Sequence, residues 1–199
     1  MRGFFILEPH MRNLPWAIAA WIATRPAITD LIIRRAQRTP YSNITGPDGS
    51  LYMGRWWVFN PYTRLPGGET APARWKWLPS IRVHHIMRPD NDRHLHDHPW
   101  NARTIVLRGW YTEERPWASL SESDLDAADG MAIGDETRAI FHRVSGYTGR
   151  LMFGQYHRIS SVSSGGVWTL FLTWRKRGTW GFAVDGEKVP WRQYLNVSE

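Results

Sequence analysis

Five of the eight histidines fall between residues 84 and 98, and the densest stretch reads Arg93-His94-Leu95-His96-Asp97-His98-Pro99-Trp100. In an extended chain alternate side chains share a face. His94, His96 and His98 are therefore placed to point one way, and Asp97 the other. Two imidazoles at i and i+2 can close on one metal ion, and a third ligand must then come from elsewhere. The chain has no cysteine, which excludes thiolate ligands, a cysteine nucleophile and a disulfide framework. Any metal must sit on His, Asp or Glu.

His157, in Gly154-Gln155-Tyr156-His157-Arg158, is the best candidate for the third ligand. His142, in Ile140-Phe141-His142-Arg143-Val144, is its rival, since it too precedes Arg and a β-branched residue. His94 is an alternative ligand or, better, a hydrogen-bonding group behind the ligands. His84 and His85 alternate on the preceding segment, so only one can face inward. Asp97 either orients a histidine or serves a turn before Pro99.

The elements that must hold these residues are mostly short strands. Residues 14–38 read as helix: Pro15 suits a first turn, and Pro26 opens a second helix with Thr24 as its candidate cap. The basic end Arg34, Arg35, Arg38 suits the negative end of the helix dipole. From residue 41 the pattern changes. Leu51 to Phe59 reads as a strand, and 60–72 as a long loop. Strand-like runs follow at 80–87, 93–98, 103–113, 137–144, 150–159, 167–174 and 179–184. An acidic, polar excursion lies between 117 and 135. Short strands with Gly-rich turns after a helical start predict a mainly β sandwich or barrel with added helices. A single domain is expected, with residues 1–40 as a helical segment packed on a barrel of residues 41–199.

The chain has 199 residues, net charge +7 and a pI near 10.1. No run of five or more basic residues forms a tail, so the charge reads as a basic surface rather than a nucleic-acid site. The start lacks the pattern of a signal peptide. The longest apolar run, Leu14 to Ala23, is about half a membrane span. A cytoplasmic protein without a transmembrane segment is expected, with surface association through Trp16 and Trp21 as a minor alternative.

The histidine spacing resembles the cupin family. Its first motif, His-x-His with a later Gly, is met by His96-Asp97-His98 and Gly109. Its second is met from Gly146 through Met152 and Gly154 to His157 and Ser161, with Met152 in place of Pro and Ser161 in place of Asn. The resemblance covers residues 80–184 and implies a cupin jelly-roll (double-stranded β-helix) barrel. Cupins usually place a Glu ligand seven residues before the first-motif Gly, and that position is Ala102. What remains is similar to the thiol dioxygenases, a cupin branch with a three-His ferrous site. The absence of cysteine means that the Cys–Tyr adduct of some of those enzymes cannot form. The HDHPW and TLFLTWRKRGTWGF segments also resemble uncharacterised bacterial and phage cupin proteins.

The resemblance implies a divalent metal on His96, His98 and His157. Fe(II) is favoured, with Zn, Ni or Mn left open, and an Fe(II) dioxygenase is the leading function. A non-oxidative isomerase, epimerase or lyase is the alternative, and a basic binding module for nucleic acid or protein is the third reading. A small anionic substrate suits the site charge. Arg82, Arg103 and Arg158 are candidates to clamp it bidentately. Tyr111, Glu113 and Tyr156 are candidate catalytic groups on the inner wall, and Trp100 and Trp110 could line it. The WRKRGTWGF stretch is expected to turn at Gly178 and lay Trp180 over the barrel as a lid. Family analogy adds a homodimer.

Overall fold

The computed structural model describes residues 8–46, 49–65, 70–120, 131–133 and 137–196. Helices α1 (Glu8–Ala23) and α2 (Pro26–Ala36) come first and meet at 85°. Pro26 stands at the start of α2, where a missing N–H leaves no bond unmade. Thr24 is not the cap. Its hydroxyl donates back to the Ala20 carbonyl at 2.8 Å, and Arg25 takes the cap position without a side-chain bond. α1 begins at Glu8, so Pro15 lies inside it rather than in its first turn.

Two antiparallel sheets carry the rest. The larger runs in the order β1 (Ile44–Thr45), β2 (Leu51–Phe59), β5 (Ser80–Ile86), β12 (Val167–Lys176), β6 (Trp100–Arg108), β10 (Thr148–Leu151). The smaller runs β11 (Arg158–Val162), β7 (Trp110–Pro116), β9 (Arg138–Val144), β8 (Met131–Ile133). Two hairpins complete the described strands: β3 (Thr63–Arg64) with β4 (Thr70–Ala71), and β13 (Gly181–Val184) with β14 (Glu187–Pro190).

Strand alternation sorts the larger sheet's residues into two faces. On one, Ile86, Val106 and Val167 meet Tyr111 and Ile159 of the smaller sheet, which forms the core between the sheets. On the other, Val83, Ile105 and Leu107 receive Ala20, Ala23 and Ala36 of the helices. Each large aliphatic buried this way contributes about 1.5–3 kcal/mol relative to exposure. The small alanines let the helices lie close to the sheet.

Several boundaries differ from the sequence reading, each for a local reason. Residues 103–113 are two strands in different sheets, because Gly109 turns the chain at φ +82°. A Cβ at that position would lie 2.9 Å from the Gly166 carbonyl oxygen, so the corner admits only glycine. Residues 150–159 likewise divide between β10 and β11, with Gly154 at φ +82° in the intervening turn. The 93–98 run is not a strand. It is irregular chain with bridges at His96 alone. The 60–72 loop contains β3 and β4. Within the acidic excursion, Trp117–Ser119 is a 3-10 turn and Met131–Ile133 is β8, while 121–130 and 134–136 lie outside the described residues. The β13–β14 hairpin turns at Asp185-Gly186, both at positive φ, an Asp-Gly turn whose signal stands in the sequence.

Candidate metal centre

The His-x-His segment is held by its backbone on two sides. The His96 N–H donates to the His157 carbonyl and the His157 N–H to the His96 carbonyl, both at 2.9 Å. On the other side, Asp97 N–H donates to Gly181 O at 3.0 Å and Ala183 N–H to Leu95 O at 2.8 Å, which docks β13. The Asp97 side chain is fully buried and points away from the imidazoles. It accepts the Gly181 N–H at 2.8 Å and the Lys188 ammonium at 2.5 Å. Asp97 thus ties the hairpin to the histidine segment, rather than orienting a ring or capping a turn.

The three rings converge. Centroids of His96, His98 and His157 are 4.9 to 5.2 Å apart, and one ligating atom from each lies within 4.8 Å of the others. His157 Nδ1–H donates to Glu113 Oε1 at 2.9 Å. That bond fixes the tautomer and leaves the Nε2 lone pair aimed at Nε2 of His98, 3.0 Å away. Two ~2.1 Å metal–nitrogen bonds at a right angle place their nitrogens about 3.0 Å apart. Burial, then the neighbouring imidazole of His157, lowers the His96 pKa to about 4. The same two causes hold His98 well below the usual histidine value, with His96, Arg82 and His84 adding to them. Both rings are therefore neutral at pH 7 and able to offer lone pairs.

Behind the rings stand two carboxylates. Glu113 is fully buried between the sheets and also accepts from Arg115 Nη2 at 3.0 Å and Arg143 Nε at 3.1 Å. Burial alone would raise its pKa. Arg115, the His157 bond and Arg143 outweigh it and hold the carboxyl well below its usual range. Asp90 Oδ2 lies 3.8 Å from His96 Nδ1 and accepts the Ile159 N–H at 2.8 Å, while its other oxygen takes the Tyr52 hydroxyl. Such groups set ring orientation and ligand basicity.

Aromatic rings enclose the cluster. His98 stacks on Trp100 at 5.4 Å and borders Phe171 at 6.1 Å. Trp180, stacked on Trp191, lies 6.1 Å from His96, and Phe182 lies 6.0 Å from it. Trp180 is the residue read from the sequence as a lid. Trp100 and Phe171 also touch Arg82, whose guanidinium carbon is 5.3 and 5.6 Å from their ring centres. Arg82 is only 2% exposed. Its Nη1 donates to the Tyr62 hydroxyl at 2.7 Å, and its Nε has no partner. Among the described residues no carboxylate pairs with it. His84, on the same strand face, stacks on Phe171 at 4.9 Å, and its buried Nε2 also lacks a partner.

The other residues singled out from the sequence lie apart. Tyr111 is a core residue of the inter-sheet cluster, its phenol pKa raised first by burial and then by Glu113. Glu113 backs His157 instead of lining an open wall. Tyr156 is half-buried, and its phenol is raised by burial and by the charge of Asp97. Arg103 points to the helix side, donating to Thr148 and Asn13 and lying over Trp16. Arg158 pairs with Glu114 at 3.8 Å. His94 Nδ1 shares a hydrogen bond of 2.9 Å with the Tyr194 hydroxyl, outside the three-ring cluster. His142 is exposed against Trp110 on β9. Trp110 therefore does not line the site. The sequence reading missed Asp90, Arg115 and Arg143, and it left open which of His84 and His85 faces inward; the structure buries His84. For the two arginines the signal was present: Arg115 shares strand parity with Glu113, and Arg143 lies on the strand that pairs with it.

Three converging imidazoles, one backed by an ionised carboxylate, fit a divalent ion. Ala102, which the motif resemblance sets at the position of a carboxylate ligand, is buried on β6. Fold and site together define a mainly β protein of two packed antiparallel sheets with a three-histidine cluster able to hold a metal ion.

Neither a family model nor a curated protein sequence matches the chain. Among solved structures it is similar to a mutant of the Bacillus subtilis oxalate decarboxylase OxdC, at 11% identity and TM-score 0.43. That match covers 82% of this chain and 32% of the decarboxylase. Fe(II)-HppE with the alternative substrate (S)-1-HPP matches at 10% identity and TM-score 0.40, over 67% of this chain and 55% of that one. A structure from a study of the DMSP lyases RdDddP and RnDddQII matches at 13% and 0.34, over 63% and 48%. This chain thus spans about a third to a half of the length of those proteins. A likeness at this level carries no functional inference.

Proposed function

We propose that the protein is a metal-dependent enzyme, an Fe(II) dioxygenase that acts on a small anionic substrate. The observation that carries this reading is a three-imidazole cluster with alanine at the usual carboxylate position. His96, His98 and His157 would hold the ion. When bound, the ion supplies Lewis acidity and, as iron, the redox chemistry that uses dioxygen.

The chain's own groups do the rest. Glu113 Oε1 keeps the proton on His157 Nδ1, so that Nε2 stays available. Arg82 holds the anionic group of the substrate. Its charge is buried and unneutralised, and its free Nε and the neighbouring His84 Nε2 are two polar atoms in need of a partner. Trp100, Phe171 and Trp180 exclude water around the reacting atoms. Two of the three candidate catalytic groups are engaged elsewhere, Tyr111 in the core and Glu113 in three hydrogen bonds, which leaves Tyr156 as the tyrosine a non-oxidative isomerase or lyase would use.

The test begins with elemental analysis of tag-free protein, followed by oxygen uptake of the iron-loaded protein. Small thiols, amino acids and sugar or nucleotide acids form the substrate panel. Substrate-dependent uptake that His98→Ala abolishes is the expected result. Arg82→Met should raise KM for the anionic substrate about 30-fold or more while leaving metal content unchanged. Turnover that needs no oxygen, with zinc or nickel bound in cells, would replace this reading with a non-oxidative one. A metal-free protein would move the binding-module reading to first place.

A further inference from the structure

α1 is apolar on two faces, and among the described residues only one of them is covered. Inward, Trp16 meets Trp174 edge-on at 6.4 Å, and Ala20 and Ala23 pack on the larger sheet. Outward, Leu14, Ile18, Trp21 and Ile22 are 57%, 51%, 60% and 43% exposed. Their spacing of i, i+4, i+7 and i+8 is a single helical stripe. No charged residue interrupts the sequence from Asn13 to Thr24. On α2, Leu31 is 61% exposed as well. A monomeric soluble protein rarely leaves so continuous a set of large apolar side chains in water.

The segment that carries the stripe is cationic. Arg25 follows α1's last turn, its guanidinium 4.7 Å over the Trp21 ring and its Nε donating to the Trp21 carbonyl at 3.0 Å. Arg34, Arg35 and Arg38 are exposed at the end of α2. Asp30 is the one acid between Asn13 and Arg38, and Arg108 already pairs with it. The apolar surface is thus accompanied by four arginines without a free carboxylate in the same segment. No single helix is long and apolar enough to cross a membrane, and the pair is bent by 85°. That shape lies along a surface more readily than it spans one.

We propose that the α1–α2 corner is a docking surface for an anionic lipid leaflet. Leu14, Ile18, Trp21 and Ile22 enter the boundary between headgroups and acyl chains, where tryptophan is favoured. Arg25, Arg34, Arg35 and Arg38 meet the lipid phosphates. The charge pattern selects this occupant over a second copy of the chain. Two copies joined through this corner would confront the same arginines with no free acid in the segment to answer them. The proposal stands independently of the metal centre.

The experiment is co-sedimentation of the full chain with phosphatidylcholine vesicles, with and without added phosphatidylglycerol. The protein should pellet with the anionic vesicles about tenfold more tightly than with the neutral ones, and less tightly as salt rises. Ile18→Glu and Trp21→Glu replace exposed side chains, so melting temperature and metal content should stay unchanged while vesicle binding is lost. Arg34→Gln with Arg35→Gln should remove most of that preference for anionic lipid. Absence of pelleting with either vesicle overturns the proposal. So does a lipid-free dimer, seen by analytical ultracentrifugation, that Trp21→Glu dissolves; the surface would then join two copies.

Discussion

His96 and His157 exchange both of their backbone hydrogen bonds, each 2.9 Å long, in an isolated antiparallel bridge between two irregular segments. The bridge sets the rings side by side before any ion is considered. Because the backbone rather than the metal brings the segments together, a ligand substitution should remove the ion without unfolding the chain.

His96→Ala, His98→Ala and His157→Ala should therefore each lower metal affinity by more than about 100-fold, beyond the usual effect of a group behind a ligand. His94→Ala and His142→Ala should leave it unchanged, since one ring bonds Tyr194 and the other is exposed. Metal titration of the five variants is the measurement. Loss of metal in His142→Ala with retention in His157→Ala would sink the assignment.

Glu113→Gln separates two roles. The amide still accepts from His157, but no longer neutralises Arg115 and Arg143. Removing one member of a buried charge network costs about 3–5 kcal/mol, so denaturant unfolding should shift by that order. Metal affinity should fall about 10- to 100-fold through the weaker hold on His157. An unchanged unfolding midpoint would show that the buried arginines are neutralised by something else.

Gly109 and Gly146 both lie at positive φ, but only Gly109 is crowded. A Cβ at 109 meets Ser163 Oγ at 2.5 Å and the Gly166 carbonyl oxygen at 2.9 Å, whereas one at 146 meets nothing within 4 Å. Gly146→Ala should destabilise by about 1 kcal/mol from backbone strain. Gly109→Ala should cost more than that, and Ser163→Ala should not rescue it, because the obstacle that remains is backbone. Equal melting temperatures for the two variants would contradict the packing argument.

The parts of this molecule that were legible in its sequence are those with a short-range signature. Short apolar and aromatic runs between turns pointed to β2, β5 and β12; His96 and His98 stood out at i, i+2, and the motif resemblance added His157. Polar residues whose partners lie far off in sequence were not legible. Asp90 sits in a Pro-Asp-Asn-Asp stretch that reads as a turn, and only the fold brings it to His96 and Tyr52. Glu113 and the arginines were visible as residues, but their placement depends on which strand face turns inward. Parity shows that Arg82 and His84 share a face, as do Glu113 and Arg115. It does not show which face meets the other sheet. The 93–98 segment misled for a related reason: alternation survived there through bridging at His96 alone, without a strand.

The last prediction concerns His84, where function and stability should pull apart. Its ring is buried, its Nε2 has no partner, and its pKa is held well below the ordinary value by burial first and then by Arg82 and Arg55. In the unfolded chain the same group has a pKa of about 6.5. The unfolded state therefore binds the proton first as pH falls. His84 imposes no pH-dependent loss of stability above the unfolded value. Below it, stability drains away by up to ~1.4 kcal/mol per pH unit until the folded pKa is reached. His96 and His98 have depressed values too and add to the slope in metal-free protein. His84→Leu removes one of these groups and an unpaired buried nitrogen, and the apolar side chain stays against Phe171. Denaturant unfolding of the metal-free variant should show equal or higher stability at pH 7 and a shallower decline between about pH 6.5 and 5. On the proposed reading, in which Arg82 would hold an anionic substrate beside His84, the same variant should bind that substrate more weakly with its metal content intact. A pH slope identical to that of the unsubstituted protein would mean that His84 keeps its proton equilibrium on folding, and the reading of its buried nitrogen would be wrong.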